Sequence, residues 1–243
     1  MLGKGRRSVK LRRFSHADSY DILSIVLQLI QQPAASGQHI LPGSFEVTRI
    51  PRVSHIAGAA GILHQQVHLA IGYPSLPQEH ALADALQTAN SVLGGGMSSR
   101  LFQEVREKMG LAYSVYSYVS SFQECGSLIV YAGVNPASAD KAYEAIGAVI
   151  DQMRKKGITK EEFLRGREQM KSSMLFSQES TPSQMLMYGK YMLFNDKLFD
   201  FEGKLESINK VTEADVKDAI ALTLNENGKA VGAVGNLDKP FSL

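Results

Sequence analysis

The sequence predicts an α+β domain in which helices pack on one face of an antiparallel sheet. Residues 66–74 alternate apolar and polar side chains, as a half-buried strand does. Residues 111–121 and 126–134 alternate in the same way on either side of a short turn, which predicts an antiparallel hairpin. The helical patterns occur in consecutive runs and do not alternate one by one with strands, which favours segregated helices and sheet.

Two helices are predicted before the hairpin. The first covers residues 77–93, where alanines and leucines recur along one helical face. The second covers residues 100–108. Ser98 or Ser99 can cap its start by accepting a hydrogen bond from a backbone N–H. Gly110 suits the left-handed conformation that often follows a helix end.

The clearest helix covers residues 139–156, whose apolar residues share one face. Three basic residues occupy its last turn, where positive charge suits the helix dipole, and Gly157 follows. The letters TKEE at residues 159–162 form a capping box, in which a threonine and a glutamate satisfy the backbone of the same helix start. They predict that a second long helix begins immediately afterwards.

Further helices and a final strand complete the predicted domain. The letters TPSQ at residues 181–184 are another capping-box pattern, with Pro182 at the favoured first helical position. Thr212 opens a last helix, and residues 229–235 are predicted to form a closing strand. The expected order is strand, helix, helix, two strands, three or four helices and strand.

The composition is that of a soluble globular protein. A chain of 243 residues with 44% hydrophobic and 21% charged residues can bury a sizeable core. Cys125 is the only cysteine, so the chain can form no internal disulfide and no thiolate zinc site. The apolar run at residues 21–30 is about half as long as a membrane span requires. We expect no membrane partner and a cytoplasmic location, with the mitochondrial matrix as the alternative.

Positive charge is concentrated at the start of the chain. Residues 1–60 contain eight Lys or Arg and three Asp or Glu, a net charge of +5, so the remainder carries −3. Three interpretations of residues 1–16 remain open: a disordered basic tail, an arginine-rich organelle-targeting segment and a nucleic-acid-binding arm. The remainder shows no basic stripe, so we expect no nucleic-acid partner. A short helix is predicted over residues 18–32 and a linker over residues 33–61.

No common nucleotide or catalytic motif is complete. The glycine-rich residues 94–96 lack the lysine and spacing of GxxxxGK[ST] and do not form GxGxxG, and the sequence contains no GxSxG. His64 and His68 are four residues apart, as in a helical zinc pair, but the residues after them alternate as a strand. On a strand, positions four apart lie about 13 Å from each other. That distance is too large for both imidazoles to bind one zinc ion.

Residues 93–117, LGGGMSSRLFQEVREKMGLAYSVYS, resemble the insulinase/pitrilysin-type metallopeptidase family, which includes the mitochondrial processing peptidase. The similarity continues in QVHLAIGYPSLP before this segment, and in GSLIVYAGVNPASADKAYEAIGAVIDQMRKKGITKEEF and YGKYMLF after it. It covers residues 62–236 and corresponds to the family's C-terminal half-domain. Residues 1–61 match poorly, so the predicted organisation is an N-terminal segment, 1–61, followed by a half-domain, 62–243.

Members of this family have two related α+β halves that face each other like a clamshell. The resemblance implies that the zinc motif, HxxEH with a further glutamate, belongs to the N-terminal half. The C-terminal half supplies an arginine and, seven residues later, a tyrosine that contact the substrate, and the matching residues are Arg106 and Tyr113. The resemblance also implies that Gly94, Gly95 and Gly96 form a hinge or a substrate-side loop beside them.

No HxxEH occurs in this sequence. The resemblance therefore implies no cofactor bound by this chain, and zinc only in a partner half. We expect a non-catalytic half that positions a peptide substrate and hydrolyses nothing alone. The alternative is a structural or scaffold subunit of a processing-peptidase-like complex without a proteolytic role. The expected partners are a zinc-bearing half-domain or a second copy of this chain, together with the peptide. A half-domain of this type should expose an apolar surface.

Overall fold

The computed structural model of the protein describes residues 66–234, which form a mixed helix and sheet domain. Its strands are β1 (Val67–Ser75), β2 (Ala112–Ser121), β3 (Gly126–Val134) and β4 (Ala230–Val234). Its α-helices are α1 (Ala83–Gly94), α2 (Ala139–Lys156), α3 (Lys160–Ser177), α4 (Thr181–Asn195), α5 (Phe201–Lys210) and α6 (Glu213–Thr223). A short π-helix, Phe102–Lys108, lies between α1 and β2.

The four strands form one antiparallel sheet in the order β2-β3-β1-β4. The predicted hairpin is present as β2 and β3, and β3 also pairs with β1, for example Val130 opposite Ile71. Every residue of β3 is buried, and this strand has a neighbour on each side in the sheet. The predicted antiparallel sheet is thus confirmed, with β2 at one edge and β4 at the other among the described strands.

The core lies between the helices and one face of the sheet. The alternate residues Leu69 and Ile71 of β1 and Leu128 and Val130 of β3 point into it. The helices contribute an apolar face each, from residues that recur every three or four positions. The larger helical contributors are Leu86, Leu93, Ile146, Ile150, Met153, Phe163, Val216 and Ile220. This arrangement confirms the α+β class with helices segregated on the sheet.

Two sequence-predicted helix starts are present in full. The helix α2 has the predicted bounds, and Gly157 follows it with φ of 70°. At the start of α3 the Thr159 N–H donates to Glu162 Oε2 at 2.8 Å, and the Glu162 N–H donates to Thr159 Oγ1 at 3.2 Å. Thr212 and Asp215 form the same reciprocal pair at the start of α6. Capping patterns therefore placed these boundaries correctly.

Three helix predictions need correction. The first helix begins at Ala83 and not at residue 77, because the preceding residues form turns in which the Leu82 N–H donates to His80 Nδ1 at 3.1 Å. The cap of α4 is Ser180, so Pro182 is its second residue and not its first. Five α-helices, not three or four, separate β3 from β4, since α5 forms a helix of its own. Its start is capped by Asp200.

The tail at residues 1–16, the helix predicted over 18–32 and the linker at 33–61 lie outside the described residues. Within residues 66–234, no helix combines the length and the apolar composition that crossing a membrane requires.

Candidate substrate-contacting site

The triple glycine begins at Gly94, the last residue of α1, where the chain passes close to the edge strand. Gly94 is buried against β2, and a Cβ atom added to it would lie 2.5 Å from Ser117 Oγ and 2.9 Å from Ser117 Cβ. A Cβ on Gly95 would lie 2.6 Å from Ser91 Cα in the preceding turn of α1. Neither glycine has a positive φ. Close packing, and not a left-handed backbone, therefore requires glycine at both positions.

The same loop is held by α3. The side-chain amide of Gln169 donates to the Gly95 carbonyl at 3.0 Å, and Gly96 lies beside it. The loop is thus packed between α3 and β2. A role for these glycines as a hinge or substrate-side loop stays a prediction.

Arg100 anchors the start of the next helix. Its guanidinium donates to both carboxylate oxygens of Glu162, at 2.7 and 2.6 Å, and to the Gly157 carbonyl at 3.0 Å. This paired hydrogen bond from Arg100 is the main reason that the pKa of Glu162 lies below its ordinary value. The predicted serine cap is wrong, because the π-helix has no side-chain cap and the Ser99 hydroxyl is buried without a hydrogen-bond partner.

Arg106 lies on the solvent side of the π-helix. The Met109 N–H donates to the Glu104 carbonyl at 3.1 Å. This hydrogen bond joins residues five positions apart, which defines a π-helix. The Arg106 guanidinium lies over the Phe102 ring, 4.8 Å from its centroid, and its Nε is 3.9 Å from a Glu107 carboxylate oxygen. Both contacts are exposed and weak. The guanidinium therefore keeps donors available to a ligand.

A tight turn connects the π-helix to β2. Gly110 has φ of 62°, as predicted, and its N–H donates to the Arg106 carbonyl at 3.1 Å. The Leu111 N–H then donates to the Val105 carbonyl at 3.0 Å. These bonds fix the start of β2 relative to the helix end, so the backbone between the two predicted site residues is ordered by hydrogen bonds.

Tyr113 lies in a β-bulge. Ala112 pairs with Val134 and Ser114 pairs with the next residue, Gly133, so Tyr113 is an extra residue on the edge strand. Its side chain is 75% exposed. A bulge bends a strand and redirects a side chain. Arg106 and Tyr113 thus each lie at a local interruption of regular backbone, seven residues apart, and each exposes hydrogen-bond donors.

A group of polar aromatic residues on β1, β2 and β3 was not predicted. On the sheet face opposite the core, Tyr131 Oη is 2.6 Å from His68 Nδ1, and the Tyr131 and Tyr116 rings are 5.0 Å apart. Burial, with a smaller contribution from Tyr116, raises the pKa of Tyr131, while a hydrogen bond with Ser114 opposes this. The alternation of tyrosine and serine in β2 was the available signal. It indicated a strand but not which residues would meet across strands.

A shallow cleft lies against the turn that joins the π-helix to β2. It has a volume of about 540 Å³ and is lined by Met109 and Leu111 of the turn and by Lys141, Glu144 and Ala145 of α2. Its walls are mainly apolar, with one positive and one negative side chain. The cleft thus lies next to the segment that carries Arg106 and Tyr113.

The described residues contain no metal site. Across residues 66–234, no three His, Cys, Asp or Glu side chains come together in a group that could hold a metal ion. His68 lies on β1, as the strand pattern predicted, while His64 lies outside the described residues. Cys125 is a free thiol in the β2–β3 turn.

Comparison with known proteins identifies the family. Residues 43–170, more than half of the chain, match the model of the peptidase M16 inactive domain. The chain belongs to the M16 peptidase family. The resemblance drawn from residues 93–117 and the segments on either side is therefore confirmed. The match begins before residue 62, and the domain boundary predicted there stays a prediction.

Sequence relatives of this M16 chain include two bacterial zinc proteases. It is 41% identical over 147 residues to an uncharacterized zinc protease of Bacillus subtilis, covering 60% of this chain and 36% of the relative. It is 37% identical over 179 residues to an uncharacterized zinc protease of Streptomyces coelicolor, covering 73% of this chain and 39% of the relative. The M16 chain thus spans well under half the length of these relatives.

Solved structures share the fold of this M16 domain. A peptidase M16 inactive domain from Pseudomonas fluorescens aligns with a TM-score of 0.64 and 23% identity, covering 74% of this chain and 43% of that one. A Helicobacter pylori protease aligns with a TM-score of 0.63 and 21% identity, covering 71% and 41%. At these identities the likeness establishes the M16 fold alone.

Proposed function

We propose that this chain is the substrate-positioning half of an M16 zinc peptidase. In this role Arg106 and Tyr113 donate hydrogen bonds to a peptide carbonyl, and a zinc-bearing half supplies the metal-activated water. The arginine fork carries its charge at every physiological pH, and the phenol is a neutral donor. Both donors suit an oxygen that becomes negative during peptide hydrolysis.

The observation that carries this proposal is the exposure of both side chains at adjacent backbone interruptions. The π-helix presents Arg106 to solvent while Val105 next to it is fully buried. The bulge presents Tyr113 to solvent while Ala112 next to it is buried. Contacts on either side hold this segment in place. Here the anchors are the Arg100–Glu162 pair and the hydrogen-bonded turn at Gly110.

The zinc-bearing half is proposed as a partner for two reasons. The described residues do not form a metal site, so they do not fit the zinc ion that the family requires. The relatives called zinc proteases are more than twice as long as the matched segment, which leaves room in them for a second half.

A single cysteine fits a reducing compartment, and we propose the cytoplasm as the location.

A co-expression experiment tests the proposal. The part of the Bacillus subtilis zinc protease outside the match would be expressed together with this chain, and cleavage of an unfolded peptide measured. We expect cleavage by the complex. Arg106→Ala and Tyr113→Phe should each lower kcat/KM by about 100-fold or more, with zinc content and complex formation unchanged.

Matched control substitutions distinguish an effect at the proposed site from a general loss of structure. Arg154→Ala and Tyr118→Phe remove the same side-chain types elsewhere in the described domain and should leave the rate within about twofold. If a complex forms and binds zinc but no peptide is cleaved, the scaffold alternative is favoured. If cleavage appears and neither site substitution slows it, Arg106 and Tyr113 have been assigned wrongly.

A further inference from the structure

The β-bulge that carries Tyr113 is followed on β2 by Ser114, which begins a row of residues on the sheet face opposite the core. The row crosses three strands through register partners: Ser114 of β2, Gly133 of β3 and His68 of β1. Gly133 has no side chain, so neighbouring side chains can occupy the space above it. A Cβ atom on Gly133 would lie 2.9 Å from Ser114 Oγ and 3.7 Å from Tyr131 Oη. Both hydroxyl groups therefore lie above this glycine.

These side chains form a short chain of hydrogen bonds across the sheet, which we call the Tyr131 bridge: Ser114, Tyr131 and His68. Tyr131 Oη is 2.6 Å from His68 Nδ1. Ser114 hydrogen-bonds to the Tyr131 phenol and lowers its pKa, as a donor to the phenol oxygen does. Since the Tyr131 oxygen accepts from Ser114, its own O–H is free to donate to Nδ1 of a neutral His68 imidazole.

The Tyr131 ring is held in place by its neighbours. The residue is buried, and its ring lies 5.0 Å from the Tyr116 ring and 6.0 Å from the His68 ring. Packing on two sides limits rotation of the phenol, so its oxygen stays above Gly133. Hydrogen bonds that are shielded from water are stronger than those at the surface. The Tyr131 bridge therefore ties three strands together at the level of the bulge.

We propose that Tyr131 and His68 are positioning residues for Tyr113. A bulged residue has no partner of its own across the sheet, so its direction depends on the residues on either side. On one side Ala112 is buried in the core. On the other side Ser114 is held by the Tyr131 bridge, so the exposed Tyr113 phenol keeps one direction. The consequence for cleavage rests on the proposed function, whereas the restraint on the bulge does not.

Amide hydrogen exchange of the full chain, without a partner, tests the restraint. Tyr131→Phe removes one oxygen atom and both hydrogen bonds but keeps the ring. Exchange at residues 112–116 should become about tenfold faster or more, while residues 118–121 of the same strand stay within about twofold. Tyr118→Phe removes a phenol oxygen further along β2 and should leave both segments within about twofold. Unchanged exchange at residues 112–116, or equal acceleration along all of β2, would overturn the inference.

Two substitutions at His68 test the bond to Nδ1. In His68→Asn the side-chain oxygen replaces Nδ1 as an acceptor at a similar position, whereas His68→Leu provides no acceptor. Both variants lose every contact of the other ring nitrogen, so the difference between them isolates the Nδ1 bond. Exchange at residues 112–116 should stay within about threefold in His68→Asn and rise by about tenfold or more in His68→Leu. Equal acceleration in the two variants would remove His68 from the bridge.

Kinetics of the complex with the zinc-bearing half test the consequence for cleavage. Tyr131→Phe should lower kcat by about tenfold or more and leave KM within about twofold, because a misplaced donor is missed in the transition state. If Tyr131 acts only through Tyr113, the same substitution in a Tyr113→Phe chain should lower kcat by less than about twofold further. A loss as large in the Tyr113→Phe chain as in the native chain would overturn the positioning role.

The two proposals can fail separately. If cleavage is slowed by Tyr113→Phe and not by Tyr131→Phe, the proposed function stands and the positioning role is wrong. If neither Arg106→Ala nor Tyr113→Phe slows cleavage, the proposed function is wrong. Hydrogen exchange of the lone chain then still decides whether the Tyr131 bridge restrains the bulge.

Discussion

Gly94 is the point where the end of α1 touches the backbone of β2, and replacing it with alanine should destabilise the domain. The added methyl carbon would lie 2.5 Å from Ser117 Oγ, 2.9 Å from Ser117 Cβ and against the Ser117 backbone nitrogen. Ordinary carbon contacts are about 3.5–4.0 Å. Because the strand backbone cannot rotate away as a flexible side chain can, the helix end or the edge strand must move.

The cost has two components. Overpacking of this kind destabilises by about 1–3 kcal/mol. The Ser117 hydroxyl also donates to Asn90 Oδ1 at 2.7 Å inside the domain, and weakening that buried bond adds about 1 kcal/mol. We expect Gly94→Ala to lower the free energy of unfolding by about 2–4 kcal/mol. For a domain of this size that is a fall in Tm of roughly 5–15 °C.

Gly147→Ala is the matched control for this substitution. Gly147 lies within α2, and a Cβ added there meets no atom within 4 Å. Alanine favours a helix over glycine by about 0.8–1 kcal/mol, so this variant should be more stable than the native chain. Thermal unfolding followed by circular dichroism measures both. A Gly94→Ala variant that melts within about 2 °C of the native chain would refute the close-packing explanation of the glycine loop.

Three further substitutions have expected outcomes. Glu162→Gln should destabilise by about 1–3 kcal/mol at pH 7, because Arg100 loses a charged partner. Since Arg100 lowers the pKa of Glu162 in the folded state, this stabilisation is present above the ordinary glutamate pKa of 4.5 and is lost as the pH falls through the folded-state pKa. Glu162→Gln should therefore lose less stability than the native chain on acidification, which urea titrations at several pH values measure. An equal loss of unfolding free energy in the variant and the native chain would contradict the role of the Arg100–Glu162 pair. Gly110→Ala should cost about 1 kcal/mol from the positive φ alone, and a neutral effect would exclude backbone strain. Thr212→Ala should cost about 1 kcal/mol by removing the cap of α6, and an unchanged Tm would argue against that cap.

The fold was predictable where local chemistry determines it. The bounds of α2 followed from its apolar stripe, and the start of α3 followed from Thr159 and Glu162, whose side chains act within one turn. The hairpin followed from alternation on both sides of one turn. In each case the deciding contacts lie within a few residues along the chain, so a local pattern is sufficient.

The candidate site residues stay a prediction, and their backbone conformation was not predicted. Arg106 and Tyr113 came from the family resemblance, whereas the π-helix and the bulge each depend on one extra residue that shifts the register. The three-residue spacing of Ala112 and Val115, which both face the core, reflects the bulge, because regular alternation would place them on opposite faces. The requirement for glycine at position 94 arises from a tertiary contact with Ser117, which no local pattern contains.

The proposed roles of the two halves are tested most directly by two measurements, peptide cleavage and zinc content. Both are made on the purified chain alone and on its complex with the zinc-bearing half. The substrate-positioning role predicts no cleavage and no tightly held zinc for the lone chain, and cleavage with bound zinc for the complex. A lone chain that retains one zinc ion after dialysis and cleaves the peptide would contradict it.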